Sequence, residues 1–333
     1  MNKPEADLRR QDAVFLCVSL NPAIDTRLVL EEFQVGRVNR ASEVHREPGG
    51  KAAHVAMALE ALGANPKWIG FSGGATGNEL IEGLRRLKIE TVSAPTVHAT
   101  RVNLEIINIR GGVTEILEPG GMIAPSEWCE FQNICANEFQ RIASKKIVLI
   151  SGSQPPGVPA KASAMLLNLA QSSGCLAFLD TSGAPLAEAL GAGPDFVKIN
   201  REEAQSVTGI PVNDITSAEQ ALRHLLERGA KSAAISLGDR GIIGIQQRDK
   251  PAVHAWTAPL QTKSTVGCGD SALAGFAFAT ASAFSFERSL ALAVACGAAN
   301  CLAPLPARIK QEDVSRLEPN VRIEPVLKKE TAR

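Results

Sequence analysis

Short, largely apolar runs recur along the chain at 14–20, 146–150, 175–179, 196–199 and 232–237. Runs of this kind predict strands buried on both faces. Helical stretches at 52–62, 80–87, 160–170, 218–226 and 272–283 are interspersed with them. That alternation predicts an α/β chain with a mostly parallel sheet covered on both sides. Two regions break the rhythm. Residues 27–45 and 101–117 alternate at period two, setting Arg101, Asn103 and Glu105 against Val102, Leu104 and Ile106. Strands with one wet face predict a small antiparallel flap, with Phe33 adding to its apolar side. An exposed flap face invites a ligand or a second subunit, and an edge extension of the main sheet is the alternative.

Composition narrows the function. With 333 residues, 45% of them hydrophobic, the chain can bury the core of one large α/β domain with a small appendage. Thirty-five basic residues balance thirty-five acidic ones, so no global field draws nucleic acid or an anionic membrane. A small-molecule ligand is the better expectation. Seven scattered cysteines (17, 129, 135, 175, 268, 296, 301), without metal-ligand spacing, predict reduced core thiols in a cytoplasmic protein. Residues 1–12 are charged and lack the apolar centre of a secretory signal, so they are expected to be a tail, as is the charged, proline-broken 318–333. The uncharged stretch around 289–307 contains Gly297, Asn300, Pro304 and Pro306, which suits a buried helix ending near Pro304 better than a membrane span.

Three segments carry candidate chemistry. Ser264-Thr265-Val266-Gly267-Cys268-Gly269-Asp270-Ser271 precedes an apolar helix, placing a carboxylate where a glycine turn becomes a helix N-terminus. The unpartnered N–H groups and dipole of such an end favour phosphate, and Asp270 can accept a proton from a hydroxyl attacking it. A cap for a buried helix is the plain alternative. The second segment, Glu47-Pro48-Gly49-Gly50-Lys51-Ala52-Ala53-His54, lets a ligand approach the backbone and offers a cation, while Asp25 lies just beyond the first strand's carboxyl end. The third, Val197-Lys198-Ile199-Asn200-Arg201-Glu202-Glu203, fits either a capping box or contact with a magnesium–nucleotide complex, directly or through water. Ser236-Leu237-Gly238-Asp239-Arg240-Gly241 ends another strand in a loop fit for phosphates or adenine.

In this order, the segments resemble the ribokinase-like carbohydrate kinases of the phosphofructokinase B family over roughly residues 13–317. Further matching residues are Asn21-Pro22-Ala23-Ile24-Asp25, Val38-Asn39-Arg40, Thr100-Arg101-Val102-Asn103, Thr114-Glu115-Ile116, Pro119-Gly120, Ser151-Gly152-Ser153 and Pro155-Pro156-Gly157. The Asn-Pro-Ala-Ile-Asp, Val-Asn-Arg and Thr-Glu-Ile elements are most similar to the branch containing 1-phosphofructokinase and tagatose-6-phosphate kinase.

The resemblance implies a three-layer sandwich with a small antiparallel β lid from segments of about 27–46 and 100–118 inserted in the domain. It implies ATP and Mg2+, a sugar-phosphate substrate and a homodimer through the lid. Asp270 would be the base, with Gly267, Cys268 and Gly269 completing the anion hole. Asp25, Gly49, Gly50, His54 and Asn103 would hold the sugar, and Lys51 and Arg101 its phosphate. Asn200 and Glu203 would organise magnesium through water, while Ser236, Gly238, Gly241, Thr265 and Asn300 would serve the nucleotide. The leading reaction is fructose 1-phosphate to fructose 1,6-bisphosphate. Tagatose 6-phosphate, fructose 6-phosphate, a free sugar or nucleoside, and a silent sugar-phosphate sensor are the alternatives. The chain departs from the family pattern at Ala52 and His54, where glycine and asparagine are usual, at Gln154, where leucine is common, and at Cys268, where alanine is usual.

Overall fold

The computed structural model describes residues 13–141, 145–262 and 264–326, so the expected tail at 1–12 and the last part of the C-terminal one lie outside the described residues. The apolar runs become neighbouring strands of one ten-stranded sheet. Its parallel part runs Ala233–Ser236, Phe196–Asn200, Leu176–Asp180, Lys146–Ser151, Val14–Ser19, Asn65–Ser72 and Glu90–Pro95. Alternate side chains of one strand serve opposite layers. Leu16 and Val18 join a core with Phe131, Phe139, Leu166 and Leu222, whereas Phe15 and Cys17 join one with Leu59, Leu80, Phe278 and Leu290. Helices therefore cover both faces, as the alternation predicts.

Helix Cys268–Ala281 is buried along most of its length and packs on Phe286–Leu302. The approach is close because Gly275 has no side chain: a Cβ there would lie 2.7 Å from Cys296 Sγ and 2.9 Å from the Leu292 carbonyl. No helix among the described residues is long and apolar enough to cross a membrane.

Two expectations need correction. The flap is mixed rather than antiparallel: its order is Glu43–Gly49, Ala23–Leu30, Arg101–Asn108 and Gly112–Ile116, and its central pair is parallel. Parallel neighbours need a crossover, here supplied by the helices and strands between residues 51 and 95. The expected C-terminal tail also folds in part. Arg322–Pro325 pairs antiparallel with Val253–Trp256 and closes a sheet edge reached through Ile242–Ile245. A short, charged, proline-ended strand suits an edge, where charge and proline oppose further pairing.

The flap is tied to the main body. Arg27 forms a bidentate ion pair with Glu105, at 2.8 and 2.9 Å, and also donates to the Pro304 carbonyl. Glu105 additionally accepts from Ser264 Oγ at 3.1 Å.

Candidate active site

The carboxyl ends of the parallel strands and the inner flap face enclose a cleft of about 1130 Å³. All the expected site residues line it except Gly49 and Asn300. Gly267, in the left-handed region at φ +81°, turns the chain into helix Cys268–Ala281 without any side-chain cap; the Cys268 N–H donates to the Thr265 carbonyl at 3.2 Å, and Gly269 and Asp270 follow it along the cleft wall. Gly269 gives room to a cation, since a Cβ there would lie 3.0 Å from Lys198 Nζ. Asn300 does not reach the cleft as expected. It is buried behind the turn, donating to the Val266 carbonyl at 2.8 Å and accepting from the Ala307 N–H at 2.6 Å, so it holds the turn in place.

Asp270 and Asp25 are joined by one histidine. His54 Nδ1 lies 2.9 Å from Asp270 Oδ2, and its Nε2 lies 3.1 Å from Asp25 Oδ2. Both ring nitrogens face carboxylates, so both donate and the ring is an imidazolium. Burial pushes the His54 pKa down, yet the two carboxylates overcome it and hold it up at about 10. Burial likewise pushes Asp25 up, but hydrogen bonds and charge from His54, with Asn103, hold it below the usual carboxylate range. A Cβ on Gly49 would collide with the Asp25 carboxylate, so Gly49 makes room for that group instead of lining the cleft.

Beside Asp25, Asn103 Nδ2 donates to its Oδ1 at 2.9 Å, while Asn103 Oδ1 is buried without a partner. Arg101 donates to the carbonyls of Glu118 and Asn21, at 2.6 and 3.0 Å, and its buried Nε is also unpartnered. A buried donor and a buried acceptor left open in a cleft are what a polar ligand would satisfy.

Lys51 points the other way. Its Nζ lies 2.5 Å from Asp180 and 3.3 Å from Glu203, so it is an ion-paired cation at the strand ends, not a free one among the sugar-side groups. Burial lowers its pKa, but Asp180 and Glu203 raise it further, and the ammonium persists. Asp180 also holds Lys198 at 3.2 Å. Neither Asp180 nor Lys198 was expected from the sequence, although a carboxylate closing an apolar run and a lysine inside one were signals. Asn200 and Glu203 form the reciprocal capping box, with both bonds at 2.8 Å. Among the described residues no cluster of three or more His, Cys, Asp or Glu could hold a metal.

Residues 16–311 match the pfkB family carbohydrate kinase. The chain belongs to that family. Relatives of this kinase include the 1-phosphofructokinase of Xanthomonas campestris pv. campestris, 35% identical over 79% of this chain and 83% of that one. The ATP-dependent 6-phosphofructokinase isozyme 2 of Escherichia coli is 30% identical over 86% and 91%. Among solved structures, phosphofructokinase-2 of Escherichia coli in complex with substrates and products is 26% identical, with a TM-score of 0.84 over 92% of the kinase and 98% of that chain. The ribokinase of Arabidopsis thaliana, at 20% identity and a TM-score of 0.72 over 93% and 99%, supports the ribokinase-like fold. The kinase is ATP-dependent, and the residues expected to form its site, Gly49 and Asn300 apart, line the cleft that the strand ends and the flap create.

Proposed function

We propose that this kinase phosphorylates a free hydroxyl of a ketohexose monophosphate, with fructose 1-phosphate the leading acceptor and fructose 1,6-bisphosphate the product. The observation that carries the reading is the placement of Asp270 in the first turn of a helix that opens on an uncapped glycine, in one cleft with a flap face that holds the open Arg101 Nε and Asn103 Oδ1. Relatives named for phosphofructokinase activity support it. ATP supplies the phosphoryl group, and a magnesium ion on its phosphates offsets their charge.

The residues present fit such an ion at one remove. The Glu203 carboxylate already accepts from the Asn200 N–H and pairs with Lys51, and magnesium characteristically keeps several waters. Asn200 and Glu203 would therefore hold it through water. Ser236, Gly238, Gly241 and Thr265 would line the nucleotide, and Lys51 and Lys198 would stand by its phosphates. The N–H groups from Gly267 to Asp270 would stabilise the transferred oxygens. Asp270 would accept the hydroxyl proton on its Oδ1, its Oδ2 being held by His54. Phosphoryl transfer is loose and the proton leaves late, so alignment matters more than base strength. Asp25, Asn103 and the Gly50 backbone would hold sugar hydroxyls, and Arg101 the existing phosphate.

A free sugar as acceptor is the second reading, favoured by Lys51 being neutralised by Asp180 and Glu203. A coupled ADP-release screen across phosphorylated and free sugars decides between them: turnover highest on fructose 1-phosphate supports the first reading, and faster turnover on free sugars removes it. Val35, Val38, Ile116 and Leu117 are exposed on or beside the flap, and we assign their cover to a second copy of the chain. A monomer by light scattering at micromolar concentration would remove that assignment. The seven free cysteines accord with a cytoplasmic setting.

A further inference from the structure

Two thiols meet at the mouth of the helix that carries Asp270. Cys268 is the first residue of that helix, and Cys301 lies in the last turn of Phe286–Leu302. Their sulfurs are 3.4 Å apart, so a bond of about 2.0 Å needs a closing movement of only about 1.4 Å. These two thiols depart from the scattered core cysteines expected from the sequence. Cys17, Cys135, Cys175 and Cys296 are buried, whereas Cys268 and Cys301 are half-buried and both open onto the cleft.

We propose that Cys268 and Cys301 form a peroxide-sensitive thiol pair whose closure to a disulfide disables the turn between Gly267 and Asp270. The proposal rests on the reading above that this turn receives the nucleotide's phosphates. Asn300 Nδ2 donates to Cys268 Sγ at 3.2 Å as well as to the Val266 carbonyl, so drawing that sulfur toward Cys301 disturbs the anchor of the turn. Cys301 is the attacking sulfur. A hydrogen bond from Cys268 stabilises its thiolate against burial, helped by Thr262, and brings its pKa to about 7.

The Cys301 thiolate attacks one oxygen of hydrogen peroxide and breaks the O–O bond, leaving a sulfenic acid and a hydroxide that takes up a proton. Cys268 then attacks the sulfenic sulfur, loses its own proton and expels a second water. Two thiols and one peroxide become one disulfide and two waters.

The test treats the purified full chain with hydrogen peroxide, with and without ATP, then maps cross-linked peptides and follows ADP release and ATP binding by calorimetry. The expected result is a Cys268–Cys301 linked peptide and a loss of turnover of about a hundredfold, the scale set by a misplacement of about 1 Å at a reacting centre. Dithiothreitol restores turnover, and ATP slows the cross-link. Cys301→Ser, scored against its own untreated activity, resists peroxide, while Cys129→Ser remains sensitive. Inactivation without the linked peptide, or the linked peptide with turnover and ATP binding unchanged, overturns the proposal. Untreated protein that binds ATP but phosphorylates no sugar refutes the substrate reading instead, and the cross-link's effect on ATP binding still decides this one.

Discussion

The two sides of the cleft are built on different terms. On the side proposed for the nucleotide, Asp180 clamps Lys51 and Lys198, Glu203 and Asn200 cap each other, and Asn300 pins the glycine turn. Each of those charged or polar groups already has a protein partner. On the side proposed for the sugar, Arg101 Nε and Asn103 Oδ1 are buried and open. The first side rests on the ends of a parallel sheet packed on both faces, and the second on a four-stranded flap. On the proposed assignment, preorganisation belongs to phosphoryl transfer, and ligand-dependent completion to acceptor selection.

The largest effect should come from Asp180→Asn, which leaves two lysines without their shared buried carboxylate. Removing one member of a buried ion pair typically costs about 3–5 kcal/mol, so urea unfolding should show a loss of that size. Unchanged stability would end the claim that this side is held by internal pairing. Asp270→Asn should lower turnover by at least about a hundredfold while calorimetry shows ATP binding largely retained. Full turnover would remove Asp270 from the reaction.

Arg101→Ala sharpens the comparison from the sugar side. Losing one charge-assisted bond to a phosphate, about 1.5–3 kcal/mol, should raise KM for the sugar phosphate by roughly ten- to a hundredfold and leave KM for ATP nearly unchanged. Equal losses for phosphorylated and free sugars would show that no phosphate is read there.

The remaining test is at His54, which spans both sides and is read through its pH dependence. Its folded pKa of about 10 lies above its ordinary 6.5, so its contribution to stability is complete below pH 6.5 and is lost as pH rises through about 10. Melting temperatures of wild type and His54→Asn should therefore converge across that window. Parallel pH profiles would show that the imidazolium bridge adds nothing. On the acid side, the depressed Asp25 contributes above its ordinary 3.8, and that contribution fades as pH falls through its lower folded value.

The parallel sheet was legible because strands buried on both faces leave apolar runs. Strand Asn65–Ser72 was not, because Pro66, Lys67 and Gly70 interrupt its run. Lys67 is buried there only because Glu138 and Glu90, distant in sequence, each pair with it at 2.7 Å. The glycine turn and Asp270 were visible from local order alone. The bridge through His54 was not, since it depends on contact between residues 216 positions apart. Lys51 illustrates the same limit: its charge was evident, but the direction of its side chain, at the start of helix Lys51–Ala61, is set by Asp180 at the end of a strand distant in sequence.

The Arg27–Glu105 pair gives the flap a further property. Glu105 accepts from Ser264 Oγ, Ser264 Oγ accepts from the Val266 N–H at 3.2 Å, and the Val266 carbonyl is the one Asn300 holds. These hydrogen bonds thus link the strand beneath the proposed acceptor site to the turn beneath the proposed donor site. Where two ligands bias one such connected element, their affinities are reciprocal: the factor by which a sugar phosphate alters nucleotide affinity equals the factor by which nucleotide alters sugar-phosphate affinity. Glu105, which lines the cleft but touches neither Asp270 nor the turn, thereby becomes a place where cooperativity between nucleotide and acceptor can be tuned.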